Sequence, residues 1–283
     1  MVDSPVTVGL EAAIAQEPLD EVFLALSMEK YSHLIESIVR LCEEQGIIVR
    51  LQTEMFKLHI ARWHVDQLNG LPVVTVRSGP PDGWQLIAKR VIDVWGSLVL
   101  LIALAPIFAM VAIAIKLDSH GPVMFRQERV GLNKRRFKLF KFRTMVEGAD
   151  VQQPLLERLN EAAGPVFKIR HDPRITWVGK FLRRFSIDEL PQLLNVLKGE
   201  MSLVGPRPLP VRDIERIDVQ WHKRRLSMQP GMTGLWQVNG RSDVSFDHWV
   251  RMDLEYIDKW SLALDLNILL KTIPAALKGS GAY

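Results

Sequence analysis

The longest uninterrupted hydrophobic stretch of the chain lies at residues 94–115, where no side chain carries a charge. As a helix, these 22 residues would extend about 33 Å, close to the thickness of the hydrocarbon core of a bilayer. Pro106 lies near the middle of the stretch and removes a backbone donor, so a kink is predicted there. The pattern therefore predicts contact with a membrane.

Basic residues flank this stretch on both sides: Lys89 and Arg90 precede it, and residues 116–136 are rich in lysine and arginine. A straight transmembrane helix would place one flank outside the cell, against the tendency of these residues to stay in the cytoplasm. A re-entrant hairpin bent at Pro106 keeps both flanks inside and is the favoured interpretation. A straight span and the buried helix of a soluble protein are the alternatives. Asp93 lies at helical spacing from Lys89 and Arg90, and the three are predicted to anchor the segment at the interface.

The first 80 residues show a different pattern, in which short runs typical of strands surround one helical stretch. The strand-like runs are at 21–26, 47–51 and 71–76, and the helical stretch is at 31–44. This order predicts a partial Rossmann-like βαβ domain with parallel strands and a regulatory or structural role. The turn-forming residues 78–83 predict a domain boundary.

The remainder of the chain is predicted to be mostly helical with short strands. Strands are expected near 123–126 and 136–142, and helices at about 178–184, 190–197, 214–225, 249–259 and 268–278. The predicted fold class is thus mixed, α+β. Its parts are a partial Rossmann-like domain at 1–80, a re-entrant membrane helix-break-helix at 87–117 and a third domain at 118–283.

Composition adds the environment and the kind of partner. A hydrophobic fraction of 48% with a mean hydropathy of +0.06 is high for a purely soluble protein and fits membrane attachment. The net charge of +4 suits anionic headgroups, phosphorylated substrates or nucleic acid. Cys42 is the only cysteine, which excludes an intramolecular disulfide and predicts a reducing, cytoplasmic environment.

The most informative polar cluster lies at 183–192. Ser186 and Glu189 have the spacing of a capping box, which places Asp188 and Glu189 in the first turn of a helix. In one interpretation these acids only complement the helix dipole. In the other, a carboxylate beside Arg183 and Arg184 stays ionised and acts as a nucleophile or holds a divalent cation, while the same cations attract phosphate.

A second cluster places Arg207 between Pro206 and Pro208, whose rigid backbone would fix the guanidinium for bidentate contact with phosphate. A rigid turn with a solvated arginine is the alternative. Further candidates for phosphate binding are Arg126, Arg129, Lys141, Arg143 and Arg241. The seven histidines lack the spacing of zinc ligands, and oxygen ligands near phosphate favour Mg²⁺ as the cofactor.

Seven stretches in order resemble one family, the bacterial sugar transferases, which are monotopic polyprenyl-phosphate phosphoglycosyl transferases. These stretches are residues 89–93, 121–131, 141–145, 172–176, 186–192, 201–208 and 230–238. The resemblance covers about residues 84–283. Such an ordered set of motifs is highly specific.

The resemblance implies a chemical role for the acidic pair and a substrate for each half of the reaction. Asp188 would attack the sugar-bearing phosphate of a UDP-sugar and expel UMP, leaving an aspartyl-phosphosugar. Undecaprenyl phosphate would then displace the aspartate to give undecaprenyl-diphospho-sugar, the first step of exopolysaccharide or O-antigen assembly. Glu189 would assist Mg²⁺ binding with Asp188, and Arg207 would hold phosphate. The site would work at the cytoplasmic face of the bacterial inner membrane, with UDP-glucose or UDP-galactose as the expected donor.

Two departures from the family pattern matter. Many members have Ser-Pro at the helix break, where this chain has Ala105 and Pro106. Long members carry transmembrane helices and a complete Rossmann-like domain, of which residues 1–80 resemble only the second half. An incomplete sheet exposes an edge strand, and pairing with a second copy would cover it, so a homodimer is expected.

The main alternative function is a non-catalytic scaffold on the membrane surface, in which the basic residues only bind anionic lipid. Nucleic-acid binding is not predicted, because the basic residues are spread through apolar and proline-rich segments without a recognised binding module.

Overall fold

A computed structural model describes residues 5–52, 63–68, 71–76, 83–149, 151–152, 154–161, 164–167, 169, 172–240 and 245–278. The α-helices are α1 Pro5–Gln16, α2 Met28–Gln45, α3 Trp84–Asp118, α4 Trp177–Arg184, α5 Leu193–Lys198, α6 Val211–Glu215, α7 Leu235–Asn239, α8 Phe246–Asp258 and α9 Leu262–Lys278. The strands are β1 Glu21–Leu24, β2 Ile48–Gln52, β3 Trp63–Leu68, β4 Leu71–Val76, β5 Met124–Val130, β6 Arg136–Phe142, β7 Ser202–Val204, β8 Leu209–Pro210 and β9 Gly231–Thr233. Short 3₁₀ helices are Leu132–Lys134, Pro154–Leu159, Ile187–Gln192 and Gln220–Ser227. The predicted mixture of helices and strands is confirmed.

The N-terminal unit, residues 5–76, is built on a β1-α2-β2 segment. Strands β1 and β2 pair in parallel, and the amphipathic helix α2 buries Ile35, Ile38 and Cys42 in the core of this unit. Helix α2 ends at Gly46, whose φ of 72° is accessible to glycine at no steric cost. The strands and the helix predicted for this segment are therefore present.

Strand β4 departs from the prediction of a parallel sheet. The sheet order is β1-β2-β4-β3, and β4 runs antiparallel to both β2 and β3. Only two residues separate β3 from β4, too few for the crossover that a parallel arrangement requires. The predicted parallel third strand was wrong, because β3, which the sequence analysis missed, forms a hairpin with β4.

Helix α3 contains the hydrophobic stretch and is one continuous helix of 35 residues, with Pro106 in its interior. The structure thus shows a single helix in place of the predicted helix-break-helix. A proline removes only one N–H from the helical ladder, and in apolar segments the freed group can be satisfied locally without ending the helix.

One stripe of α3 faces the rest of the protein and continues past Pro106. Buried residues along it are Lys89, Asp93, Ser97, Val111 and Ile115, which recur at helical spacing. The opposite face exposes large apolar side chains, among them Trp95, Ile102, Met110, Ile113 and Leu117. Among the described helices, α3 is the one long and apolar enough to cross a membrane by length and composition. The exposed apolar face argues against the buried helix of a soluble protein.

The C-terminal unit, residues 118–278, packs around a core that includes Leu139, Leu193, Met201, Val204 and Tyr256. Strands β6, β5 and β8 form one sheet in that order, and β7 pairs with β9 in parallel. Of the predicted helices, those at 178–184, 249–259 and 268–278 correspond to α4, α8 and α9. The predicted helix at 214–225 is instead α6 followed by a separate 3₁₀ helix.

The two units contact each other at the turn between β5 and β6. Asp20 accepts hydrogen bonds from Asn133 Nδ2 and Arg135 Nη2, and Lys134 Nζ donates to the Ile14 carbonyl at 2.9 Å. The role predicted for residues 1–80, regulatory or structural, stays a prediction.

Candidate active site

The acidic pair lies in the 3₁₀ helix Ile187–Gln192, directly after α4. Ser186 links the two helices in a left-handed conformation with φ of 56°, which costs a residue with a Cβ roughly 1–2 kcal/mol. Asp188 and Glu189 fall in the first turn, as predicted. The predicted capping box is absent, since the Ser186 side chain makes no capping hydrogen bond and the Glu189 carboxylate is bound by cations.

Glu189 is held by two cationic side chains. Arg207 makes a bidentate contact with its carboxylate: Nη1 donates to Oε2 at 3.0 Å, and Nη2 donates to Oε1. Lys141 Nζ also donates to Oε1, at 2.8 Å. Burial by itself would raise the pKa of Glu189, but Arg207 and Lys141 together hold it well below its usual range. Glu189 is therefore ionised, and both of its carboxylate oxygens accept hydrogen bonds from cationic side chains.

Asp188 is buried beside this group without an equivalent partner. It is 7% exposed, and the ammonium of Lys141 lies 4.0 Å from Oδ2, beyond hydrogen-bond length. Burial raises its pKa to about 6, an effect that Lys141 opposes and the adjacent charge of Glu189 reinforces. The pKa values of two neighbouring carboxylates are thus shifted in opposite directions, which is the arrangement that separates roles in acid-base and nucleophilic sites.

The alternation of β5 and β6 decides which basic residues reach this pair. Lys141 is registered opposite Phe125, and Arg129 opposite Phe137, so their side chains share one face of the sheet. Arg126 is paired with Phe140 on the other face, where it is exposed and lies over the Phe140 ring. The structure therefore gathers Lys141 and Arg129 at the site and leaves Arg126 outside it.

Arg129 supports the backbone next to Arg207. Its Nη1 donates to the Pro208 carbonyl at 2.9 Å. Burial and the nearby charge of Arg207 lower the pKa of Arg129 to about 10, which leaves it cationic at neutral pH. Arg207 itself lies between β7 and β8, and its side chain is 24% exposed, the most open of the cations that bind Glu189.

The remaining predicted phosphate ligands have different placements. Arg183 is brought near the acidic pair: its Nε donates to Thr144 Oγ1 at 2.9 Å, and burial lowers its pKa while Asp188 and Asp172 oppose the shift. Arg184 is exposed and lies over the Phe185 ring.

Arg143 binds the loop after α3 and does not lie with the cations that contact the acidic pair. It donates to the carbonyls of Ser119 and His120, at 2.8 and 2.6 Å. Arg241 lies outside the described residues.

The residues predicted to anchor α3 at the membrane interface form hydrogen bonds with other segments of the protein. Lys89 Nζ donates to Asp265 Oδ2 at 2.6 Å and to the Val204 carbonyl at 3.0 Å. The Leu203 N–H donates to Asp93 Oδ1 at 2.9 Å. These charges lie on the buried stripe of α3, and so they bind the strand that leads to Arg207.

Arg90 behaves in the same way, since it donates to the carbonyls of Val196 and Leu197 at the end of α5.

Sequence reasoning missed Asp265, Tyr256 and Arg225. Tyr256 OH lies 2.7 Å from Asp265 Oδ1, and Arg225 Nη2 donates to the Arg207 carbonyl at 2.8 Å. For Asp265 the sequence does contain a signal: it is an acidic residue in the first turn of α9, among mostly apolar residues.

A divalent cation would find few protein ligands here. Among the described residues, no group of three or more His, Cys, Asp or Glu side chains is arranged to hold a metal ion. Glu189 already binds Arg207 and Lys141, which leaves Asp188 as the available carboxylate of the pair. Such a site fits Mg²⁺ in the manner of phosphoryl-transfer enzymes, where one or two carboxylates join substrate phosphates and water.

Comparison with known proteins gives relatives over most of the chain. It is 39% identical over 268 residues to the galactosyl transferase CpsE of Streptococcus agalactiae, which covers 93% of this chain and 59% of that relative. It is 43% identical over 201 residues to the exopolysaccharide production protein ExoY of Sinorhizobium fredii, over 70% of this chain and 88% of the relative.

A third relative is the undecaprenyl-phosphate galactose phosphotransferase of Salmonella typhimurium, 43% identical over 69% of this chain and 41% of the relative. The chain thus spans about three fifths of the first relative and less of the third. The family model described as bacterial sugar transferase matches residues 84–279, which include α3 and the acidic pair. The resemblance drawn from the motifs, and the assignment to a family of enzymes, are confirmed: the chain belongs to the bacterial sugar transferase family.

Proposed function

We propose that this protein transfers a phosphosugar from a UDP-sugar to undecaprenyl phosphate, releasing UMP, as the first step of exopolysaccharide or O-antigen assembly. The names of the relatives support the lipid acceptor and the transfer of a phosphosugar. The observation that carries the mechanism is the contrast within the acidic pair. Asp188 is ionised at neutral pH, more basic than an ordinary aspartate and not bound in a close ion pair, whereas Glu189 is fixed between Arg207 and Lys141.

The first half-reaction uses Asp188 as the nucleophile. Its carboxylate oxygen bonds to the sugar-bearing phosphorus, and the phosphoanhydride bond breaks so that its electron pair leaves with UMP. In the second half-reaction an oxygen of undecaprenyl phosphate attacks the same phosphorus, and Asp188 departs as a carboxylate. A covalent step divides one transfer between unlike substrates into two simpler displacements.

Positive charge close to Asp188 stabilises the phosphoryl oxygens as charge shifts during each displacement. Lys141, Arg207 and Arg129 surround the pair from two strands and one loop. Glu189 holds two of these cations in fixed positions before the substrate arrives, and such preorganisation is the main source of electrostatic catalysis. The predicted metal role of Glu189 is therefore less well supported than a role in orienting Arg207 and Lys141.

Mg²⁺ would be held by Asp188 together with the phosphates of the substrate. When bound, it would neutralise part of the charge of the diphosphate.

The contacts of α3 support a membrane arrangement in which both of its ends lie on the cytoplasmic side. Near its start Lys89 binds Asp265, and at its end Asp118 Oδ2 accepts a hydrogen bond from the Val178 N–H at 3.1 Å. Both partners belong to the C-terminal unit. A straight span would separate the two ends by about 30 Å of hydrocarbon, which one water-exposed domain cannot bridge.

The exposed face of α3 would then enter one leaflet and bring the site to the depth of lipid phosphate. Large apolar residues are also exposed on α4 and α9, among them Trp177, Phe181 and Leu270.

The test is incubation of the purified protein with undecaprenyl phosphate, Mg²⁺ and a panel of UDP-sugars that includes UDP-glucose and UDP-galactose, following UMP. We expect UMP release with at least one donor and the loss of that release in Asp188→Asn. Asp258→Asn, a change at an exposed ion pair, is the matched control and should retain activity. A lack of release with every donor, or full activity of Asp188→Asn, would refute the proposal and favour the lipid-binding scaffold.

A second measurement tests the intermediate. Without the lipid acceptor, a UDP-sugar labelled in the sugar should transfer its label covalently to the wild-type protein and not to Asp188→Asn.

A further inference from the structure

The loop that carries Arg207 is held through three successive carbonyl groups. The Pro206 carbonyl accepts a hydrogen bond from the Gly231 N–H at 2.9 Å. The Arg207 carbonyl accepts one from Arg225 Nη2 at 2.8 Å, and the Pro208 carbonyl accepts one from Arg129 Nη1 at 2.9 Å. Prolines have no N–H to donate, so a Pro-Arg-Pro loop must be fixed largely through its carbonyls. Here each of the three has its own donor.

Of the two side chains that donate to this loop, Arg225 is more deeply buried than Arg129. Arg225 is 2% exposed, and its Nη2 lies 2.6 Å from Oδ2 of Asp253 on α8, which is 1% exposed. Its guanidinium also lies over the Trp249 ring, 4.9 Å from the centroid. The guanidinium of Arg225 thus contacts the Arg207 carbonyl, the Asp253 carboxylate and the Trp249 ring.

A buried ion pair of this kind is a poor source of stability. The cost of removing both charges from water offsets most of their attraction, and well-packed apolar residues in the same place often stabilise a fold equally well. What an apolar pair could not supply is the hydrogen bond to the Arg207 carbonyl.

We propose that Arg225, oriented by Asp253, is a positioning residue that sets the backbone of Arg207 and thereby the geometry of its contact with Glu189. The order of action runs from Asp253 on α8 to Arg225, then to the Arg207 carbonyl, and from the Arg207 side chain to the acidic pair. Its catalytic consequence rests on the proposed function, and its structural consequence does not.

The test replaces both partners, in Arg225→Met/Asp253→Leu, so that no unpaired charge is left buried. The matched control is Arg224→Gln/Asp258→Asn. It removes an ion pair between the same two elements, in which the Asp258 side chain is exposed. We expect UMP release to fall by roughly tenfold to a hundredfold in the first variant, since small misplacements of a catalytic group have effects of that size. The control should stay within about twofold of wild type.

If Arg225 positions Arg207, the effect of replacing Arg225 and Asp253 should depend on the Arg207 side chain, whereas a general structural effect should not. In an Arg207→Ala background, Arg225→Met/Asp253→Leu should reduce UMP release by no more than about a further twofold, because the group through which it acts is gone. A loss of the same factor in both backgrounds would overturn the proposal.

Hydrogen exchange provides a readout that does not depend on activity. Between residues 205 and 209, Gly205, Arg207 and Leu209 carry backbone N–H groups, and we expect the peptide covering them to exchange faster in Arg225→Met/Asp253→Leu and at the wild-type rate in the control. Unchanged exchange in the first variant would refute the positioning role. If the wild-type protein released no UMP, the proposed function would fail and this measurement would still decide the inference.

Discussion

Two buried acidic clusters in the C-terminal unit have the same burial and different chemistry. Asp188 and Asp265 are each 7% exposed. Asp265 accepts hydrogen bonds from Lys89 and Trp260 and lies in contact with Tyr256, so its charge is compensated on both oxygens. Asp188 has Lys141 at 4.0 Å, and that ammonium donates to Glu189. Burial therefore does not distinguish the proposed nucleophile from Asp265, whereas the closeness of the hydrogen-bond donors does.

The largest effect that this comparison implies is on catalysis at Asp188. Asp188→Asn should lower UMP release by at least about 10³-fold, because the proposed nucleophile is removed. Its melting temperature should equal or exceed that of wild type, since a poorly compensated buried charge disappears. Calorimetry alongside the UMP assay checks both. Loss of activity accompanied by unfolding would place Asp188 among the structural acids and break the contrast.

A substitution of the aspartate in the other cluster should have the opposite profile, with the main loss in stability. Asp265→Ala leaves Lys89 buried without its carboxylate, which costs about 3–5 kcal/mol in the free energy of unfolding. Urea denaturation in detergent measures this cost. Asp258→Ala, at an exposed pair, should cost less than about 1 kcal/mol. A small loss in Asp265→Ala would show that its compensation is not needed for stability.

The two clusters also differ in what the sequence could predict. Asp188, Glu189 and Arg207 were found because helix-start and proline-rich patterns are local, and the family motifs marked the same residues. Arg126 could not be separated from Lys141 and Arg129 without the strand register, which sets the face that each side chain occupies. Arg143 follows the end of β6, and it is its hydrogen bonds to the carbonyls of Ser119 and His120 that place it in the loop after α3. Asp265, Tyr256 and Arg225 depend on contacts between segments far apart in the chain.

The same limit applies to the fold. The β1-α2-β2 segment, the β5–β6 strands and most helices of the C-terminal unit followed from hydrophobic periodicity. The direction of β4 depends on β3, whose pattern was too weak to be noticed. The continuity of α3 through Pro106 depends on packing of both halves against one unit, which a single proline in the sequence cannot reveal.

A moderate effect is expected at Glu189, which belongs to the reactive cluster but is itself compensated. Glu189→Gln weakens the contacts with Arg207 and Lys141, and we expect UMP release to fall by about 10²-fold because both cations lose their fixed orientation. Glu200→Gln, at a carboxylate that binds Asn195, is a suitable control and should retain most activity. If Glu189→Gln were fully active, the view that this residue orients the cations would be wrong.

The smallest expected effect is on the pH dependence of kcat/KM, which reports the ionisation of Asp188. In the proposed first half-reaction Asp188 must be deprotonated to attack phosphorus. Its pKa is raised to about 6, so kcat/KM should fall as pH decreases through that value. Lys141 lowers the pKa of Asp188, so Lys141→Met should raise that pKa and move the acid limb of the profile to higher pH. Lys138, on the same strand but the opposite face, provides the control, and Lys138→Met should leave the limb in place. A limb that moves equally in both variants would mean that the net charge of the protein, and not the contact of Lys141 with the acidic pair, sets the ionisation of Asp188.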